Sequence, residues 1–237
     1  MTLALFSYAA AGFALVLLGA PGLLYRIGLL SIPSAFAVVR WGVYVGFAAA
    51  GFSLLAGSLA YRRGERLKAA MAGACVLVLL IAVSIPIRWS AAARSAPALH
   101  DVTTDLENPP TFIAVVPLRA DAPNSLERPA QLIEQQRSGY PDLAPITLPV
   151  MPADVFDRAL AVAQELGWVI ATADKSAGRI EATTASRWFG LEDDIVVRLT
   201  AWGSGTRVDV RSVSRVGDND MGTNARRIRA YLAALQN

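Results

Sequence analysis

The first hundred residues carry no regular alternation of polar and apolar positions, only long apolar runs. From Thr2 to Tyr25 no side chain is charged, and the same is true of Trp41–Ala60 and Ala69–Ile87. Each run supplies about 20 residues, enough at about 1.5 Å per residue to cross roughly 30 Å of hydrocarbon. None of them carries a charge at its centre, where one would cost about 2.5–3.5 kcal/mol on insertion. Three transmembrane helices are therefore predicted, and three such runs so close together disfavour a buried helical bundle in water. "IGLLSIPSAFAVV", interrupted by Pro33, is too short to span and reads either as an interfacial segment or as the first turns of the second helix. The first run lacks a basic n-region and a small-residue cleavage site at Pro21-Gly22, so it reads as a retained span rather than a signal peptide.

Beyond the spans the pattern changes twice. Between 97 and 144, prolines at 97, 109, 110, 117, 123, 129 and 141 prevent long helices or strands. Apolar anchors in "TFIAVVPL" and "YPDLAPI" argue for an extended arm lying on a domain, with a short helix around Leu126–Gln136. From 145 onward the periods are clear. "PITLPV" reads as a strand, and "MPADVFDRALAVAQELG" as a helix with Pro152 in its first turn and Gly167 past its end. Its stripe is Val155, Ala159, Val162 and Leu166, widened by Phe156, Leu160 and Ala163. "WVIATAD", "RIEATTA", "DIVVRLTAW" and "TRVDVRSVS" read as strands joined by the turns "KSAG" and "GSG" and by the loop "SRWFGLED". A last helix begins near Thr223 and places Ile228, Tyr231, Leu232 and Leu235 on one face.

The fold class is α+β: three N-terminal transmembrane helices (1–96), a Pro-rich extended arm (97–144) and a small antiparallel sheet with two helices on one face, β-α-β-β-β-β-α (145–237). Alternation turns Ile195, Val197 and Leu199 to the core with Val208, Val210 and Ser212. It turns Asp194, Val196, Arg198, Arg207, Asp209, Arg211, Glu181 and Thr183 to the other face, which reads as a solvated array of charges with Arg198 opposite Asp209.

Charge divides at the same boundary. Residues 1–96 hold eight Lys or Arg against Glu65 alone, a formal +7, whereas residues 97–237 hold 14 bases and 18 acids, a formal −4. The basic excess flanks the spans, so the net charge of +3 gives no reason to expect nucleic acid as a partner. Arg62, Arg63, Arg66 and Lys68 form the densest basic cluster beside a span. By the positive-inside rule that loop and the N-terminus are cytoplasmic and the α+β domain is extracytoplasmic. The lone cysteine, Cys75, lies in the third span, so no disulfide framework is expected. Twenty arginines to two lysines suggest a bacterial source, hence an inner-membrane protein with a periplasmic domain.

Candidate chemistry gathers in "RSVSRVGDNDMGTNARRIRAYL" (211–232). Asp218, Asp220, Gly222 and Asn224 space like oxygen ligands of a calcium loop, but Arg229 stands where the bidentate Glu should be. A helix N-terminus explains more, with Asp220 or Thr223 accepting from free N–H groups and Gly222 at positive φ. Arg211, Arg215 and Arg227 need acids, for which Asp193 and Asp194 are the natural candidates. The corner Asp193, Asp194, Arg211, Ser214, Arg215, Asp220, Asn224 and Arg227 is read as a buried ionic clamp, with an anion- or ligand-binding corner as the alternative. His100 and Asp101 are weak further candidates; no metal site, cofactor or catalytic group is expected.

"WFGLEDDIVVRL" followed by "VDVRSVSRVGDNDMGTNARRI" resembles the family known as domain of unknown function 1499. The likeness rests on Phe189-Gly190, Asp193-Asp194, Arg211-Ser212, Ser214-Arg215, Gly217, Asp220, Gly222, Asn224, Arg227 and Ile228, and spans about 97–237. "HDVTTDLENPP" stands where many relatives have a cysteine-containing segment, which resembles a membrane-anchored subgroup. The resemblance implies a fold and an envelope address, and no reaction. The function read from all this is an integral membrane protein whose outer domain binds or scaffolds another envelope component. A carrier or sensor of a small amphiphile or anion is the alternative, and a hydrolase comes third.

Overall fold

The structure, a computed structural model, describes residues 2–237, and the chain divides into two compact units. Of the described residues, the first comprises 2–91 with Arg187–Gly190. Its helices are α1 (Thr2–Arg26), α2 (Ile32–Arg62) and α3 (Arg66–Ser95), each long and apolar enough to cross a membrane, with 18-residue stretches of mean hydropathy 2.0, 1.7 and 2.6. Helix α2 starts at Ile32, capped by Ser31, whose hydroxyl accepts from the Ser34 N–H. Pro33 sits in its first turn, where a missing N–H costs nothing. The segment after Arg26 thus forms the first turns of the second helix.

Small residues bring these helices together. Gly42 lies against Leu17 and Leu18, and Ala11, Ala14, Ala49, Ala50 and Leu79 form a buried seam. Phe6, Leu23, Trp41 and Leu77 point outward and stay exposed, as lipid-facing side chains do. Within this unit the Trp188 indole N–H donates to the Gly19 carbonyl at 2.9 Å, and Phe189 stacks on Phe36 with ring centroids 5.1 Å apart.

The second unit comprises Ala92–Ser186 and Leu191–Asn237. Its elements are β1 (Asp101–Thr103), a 3-10 turn (Val116–Arg119), α4 (Ala130–Gly139), β2 (Ile146–Leu148), α5 (Pro152–Glu165), β3 (Val169–Asp174), β4 (Arg179–Ala185), β5 (Glu192–Trp202), β6 (Gly205–Ser214) and α6 (Thr223–Gln236). The sheet is antiparallel in the order β1-β6-β5-β4-β3, and β2 also pairs with β6. On one face α5 and α6 cover Ile195, Val197, Leu199, Val208 and Val210 with Phe156, Ala159, Ile228, Tyr231 and Leu235. The Tyr231 hydroxyl donates to the Ala159 carbonyl at 3.0 Å and its ring stacks on Trp168, which locks the two helices together.

Two expectations change. Leu166 is 40% exposed, because α5 ends at Glu165 and Gly167 turns the chain with φ +76°, so the buried stripe stops at Val162 and Ala163. The charged sheet face is not solvated: Glu181, Asp194, Val196 and Asp209 are fully buried there. The cover comes from the Pro-rich segment, whose Phe112 and Val115 pack on Val196 and Val213. Glu181 holds this cover by accepting the N–H groups of Ile113 and Val115 at 2.9 and 3.0 Å. Backbone that prolines keep out of regular structure is satisfied here by a buried carboxylate.

Candidate functional site: a buried ionic corner

Asp193 and Asp194 open β5 opposite Ser214 and Val213 of β6. Being consecutive in a strand they point to opposite faces, and each builds a separate cluster. Asp194 faces the covered side. Arg215 donates to it through Nε and Nη2 at 2.9 Å each, Arg119 from the 3-10 turn at 2.5 Å, and the Thr183 hydroxyl at 2.7 Å. Burial pushes the Asp194 carboxyl up, but the hydrogen bonds from Arg215, Thr183 and Arg119 outweigh it and hold the group below the ordinary carboxylate range. Arg215 also pairs with Glu192, so two guanidiniums meet two carboxylates.

Asp193 faces the helices. It accepts from Arg227 at 2.5 Å, and Arg227 also donates to the Ser212 hydroxyl at 2.9 Å and to the Asn224 amide oxygen. The Asn224 amide donates to the Ser214 hydroxyl at 3.0 Å and to the His100 carbonyl at 3.1 Å. Asp220 caps α6: its two oxygens accept the N–H groups of Gly222 and Asn224 at 2.7 and 2.6 Å. Burial raises the Asp220 carboxyl above its ordinary value, an effect those two N–H groups only partly offset. Gly222, at φ +73°, makes the left-handed step into the helix. Both Asp220 oxygens thus serve N–H groups at the start of α6.

The expected single network is therefore two, and Arg211 belongs to neither. Its guanidinium grips Asp101 with two hydrogen bonds of 3.1 and 2.8 Å, and Arg128 reaches the same carboxylate at 2.7 Å. Burial lowers the Arg128 guanidinium from its ordinary value against the pull of Asp101. Gln136 of α4 completes this third cluster, accepting from the Thr103 N–H and from Arg128. Asp101, a weak candidate in sequence, is thus central, whereas His100 contributes its backbone carbonyl, which accepts the Ser214 N–H at 2.8 Å. A fourth cluster joins Asp105 and Asp209 to Arg198 and Arg207 at 2.7–3.2 Å.

Sequence reasoning missed Arg119, Arg128, Gln136 and Glu181. The available signal was the row of outward charges on β4, β5 and β6, which demanded partners, together with the arginines interspersed in the Pro-rich segment. Among the described residues no group of three His, Cys, Asp or Glu is placed to hold a metal ion. The arrangement fastens the Pro-rich segment, β6 and α6 to one another through neutralised charges.

Three apolar helices and a mixed α+β unit with a strapped ionic face define an integral membrane protein with a folded extramembrane part. Residues 101–235, more than half of the chain, match the family described as "Protein of unknown function (DUF1499)", and the chain belongs to that family. Comparison with curated proteins and with solved structures returns no match.

Proposed function

We propose that this is a bacterial inner-membrane protein whose α+β unit faces the periplasm and binds or scaffolds another envelope protein, without chemistry of its own. The observation that carries the reading is the strap. Ile113, Val116 and Leu118 are 63%, 47% and 56% exposed, while Phe112 and Val115 among them are buried. Apolar side chains held outward on a backbone fixed by Glu181 suit protein recognition, since such surface is preordered and costs little to dock. A general base or nucleophile, by contrast, needs a group free to take a proton or attack. Asp101, Asp193 and Asp194 each have arginine partners instead. The basic loop Arg62–Lys68 supports a cytoplasmic location for that loop and a periplasmic one for the α+β unit.

The test is photo-crosslinking in intact membranes, with the reactive residue at Leu118 and, as control, at exposed Glu134. A discrete protein adduct from Leu118 alone, weakened by Ile113→Asp, is the expected result. Equal adducts from both positions, or none from Leu118, would remove the basis for this reading.

A further inference from the structure

Between α2 and α3 lies an open groove of about 440 Å³ lined by Ser53, Gly57, Ser58, Tyr61, Arg62 and Gly73. Its walls follow from side-chain size. Gly57 approaches α3 so closely that a Cβ on it would lie 3.0 Å from the Ala72 Cβ, whereas a Cβ on Gly73 would meet nothing within 4 Å. The helices touch at one glycine and leave room at the other. The lining changes character along α2, from Ser53, Leu54 and Gly57 in the middle to Tyr61 and Arg62 at the end.

Two further features point to what fills it. Ser53 is fully buried, yet its hydroxyl has no hydrogen-bond partner, an unfavourable state in a helix surrounded by hydrocarbon. The Arg62 end is strongly cationic: Arg62, Arg63, Arg66 and Lys68 face Glu65 alone, and that acid is paired with Lys68 at 3.0 Å. Arg62 lines the same groove as Ser58 and Ser53, at its membrane-surface end. A cation and two hydroxyls then follow one another from the membrane surface inward, ahead of an apolar floor.

We propose that this groove is a binding site for an anionic phospholipid. The phosphate sits at the Arg62 guanidinium with the Ser58 and Tyr61 hydroxyls, the ester region meets the unpartnered Ser53 hydroxyl, and an acyl chain runs over Gly57 and Gly73. Basic pockets between transmembrane helices recognise anionic headgroups in this way. The inference is independent of the partner surface on the strap.

The experiment uses the full chain purified in a neutral detergent, with lipid binding followed by native mass spectrometry and thermal unfolding. The probes are phosphatidylglycerol, phosphatidylcholine and inorganic phosphate. Phosphatidylglycerol alone should bind and raise the melting temperature. Arg62→Gln should weaken that binding about fivefold, equivalent to the ~1 kcal/mol that one basic residue contributes near an anionic surface. Arg40→Gln, a charge change in α2 outside the groove, should leave it unchanged. Gly73→Leu should fill the groove and abolish binding while leaving the lipid-free melting temperature unaltered. Equal binding of phosphatidylcholine, an equal shift from inorganic phosphate, or undiminished binding by Gly73→Leu would each overturn the proposal. Should Gly73→Leu fail to fold, equal binding by the Arg62→Gln and Arg40→Gln variants would overturn it as well.

Discussion

Asp101 and Arg211, 110 positions apart in the chain, meet in a two-pronged ion pair with 0% and 4% of their side chains exposed. The pair staples β1 to the edge of β6 and sets the level at which the Pro-rich segment crosses the sheet.

Arg211→Ala leaves Asp101 buried with Arg128 as its remaining cation and frees the Pro110 and Leu126 carbonyls that Arg211 also serves. Breaking such a pair costs about 3–5 kcal/mol. Denaturant unfolding of the purified protein should show that loss. The half-exposed pair Lys175–Asp157 sets the contrast, with Lys175→Ala changing stability by less than ~1 kcal/mol.

Asp194 makes part of this stability pH-dependent. Its carboxyl sits below the ordinary range in the folded chain, so the unfolded chain takes up its proton first on acidification. The contribution is complete above the unfolded value of about 3.9 and disappears as pH falls through the lower folded value. Asp194→Asn should therefore be less stable than the wild type at neutral pH and show a shallower acid limb. Asp220 works in the opposite sense: its raised carboxyl protonates first in the folded chain, so stability from this group falls as pH rises through the folded value. Asp220→Asn should steepen the acid limb, which titration of the melting temperature with pH would reveal.

Gly222 stands at φ +73°, where a Cβ would approach the Arg226 guanidinium at 3.1 Å and the Tyr140 hydroxyl at 3.3 Å. A left-handed backbone costs a non-glycine residue about 1–2 kcal/mol. Gly222→Ala should lower stability by that amount at least, measured by thermal unfolding. Gly217→Ala, at φ +89° with open space around the added atom, should show the backbone cost alone.

The spans, helices α5 and α6 and five of the six strands (β2 to β6) are legible in the sequence because their periods are unmixed: unbroken apolar runs, a helical stripe, alternation. Arg198 opposite Asp209 and Asp220 at the start of α6 were legible for the same local reason. The cover was not. Nothing periodic links Ile113 to Glu181 or Asp101 to Arg211, because a proline-broken segment is placed by individual hydrogen bonds and ion pairs between residues far apart in sequence. Alternation showed which charges left the core face but not whether water or protein met them. Asp101, the true partner of Arg211, lies in that proline-broken segment, outside the reach of alternation, so in the sequence Asp193 and Asp194 read as the natural partners of all three arginines.

The proposed topology yields a direct check. A reporter active only outside the cytoplasm should be active when fused after Asn237 and silent when inserted at Gly64, in the basic loop between α2 and α3. The reverse pattern would place the α+β unit in the cytoplasm.

The two aspartates at the start of β5 give the sharpest test of the corner. Asp194 shares its partners Arg119, Arg215 and Thr183 with no side chain bound to Asp193, whose cluster is Arg227, Ser212, Asn224 and Ser214. The sheet lies between them, because neighbouring residues of a strand point to opposite faces. Groups without shared partners add their effects to within about 0.5 kcal/mol, whereas members of one network couple by roughly 0.5–3 kcal/mol. Arg215→Ala combined with Arg227→Ala should therefore lower stability by the sum of the single losses. Arg215→Ala combined with Asp194→Ala should lose less than the sum, since either change alone already strands the other charge. A double-mutant cycle by denaturant unfolding separates the two cases, and strong coupling between Arg215 and Arg227 would mean that the corner acts as one network after all.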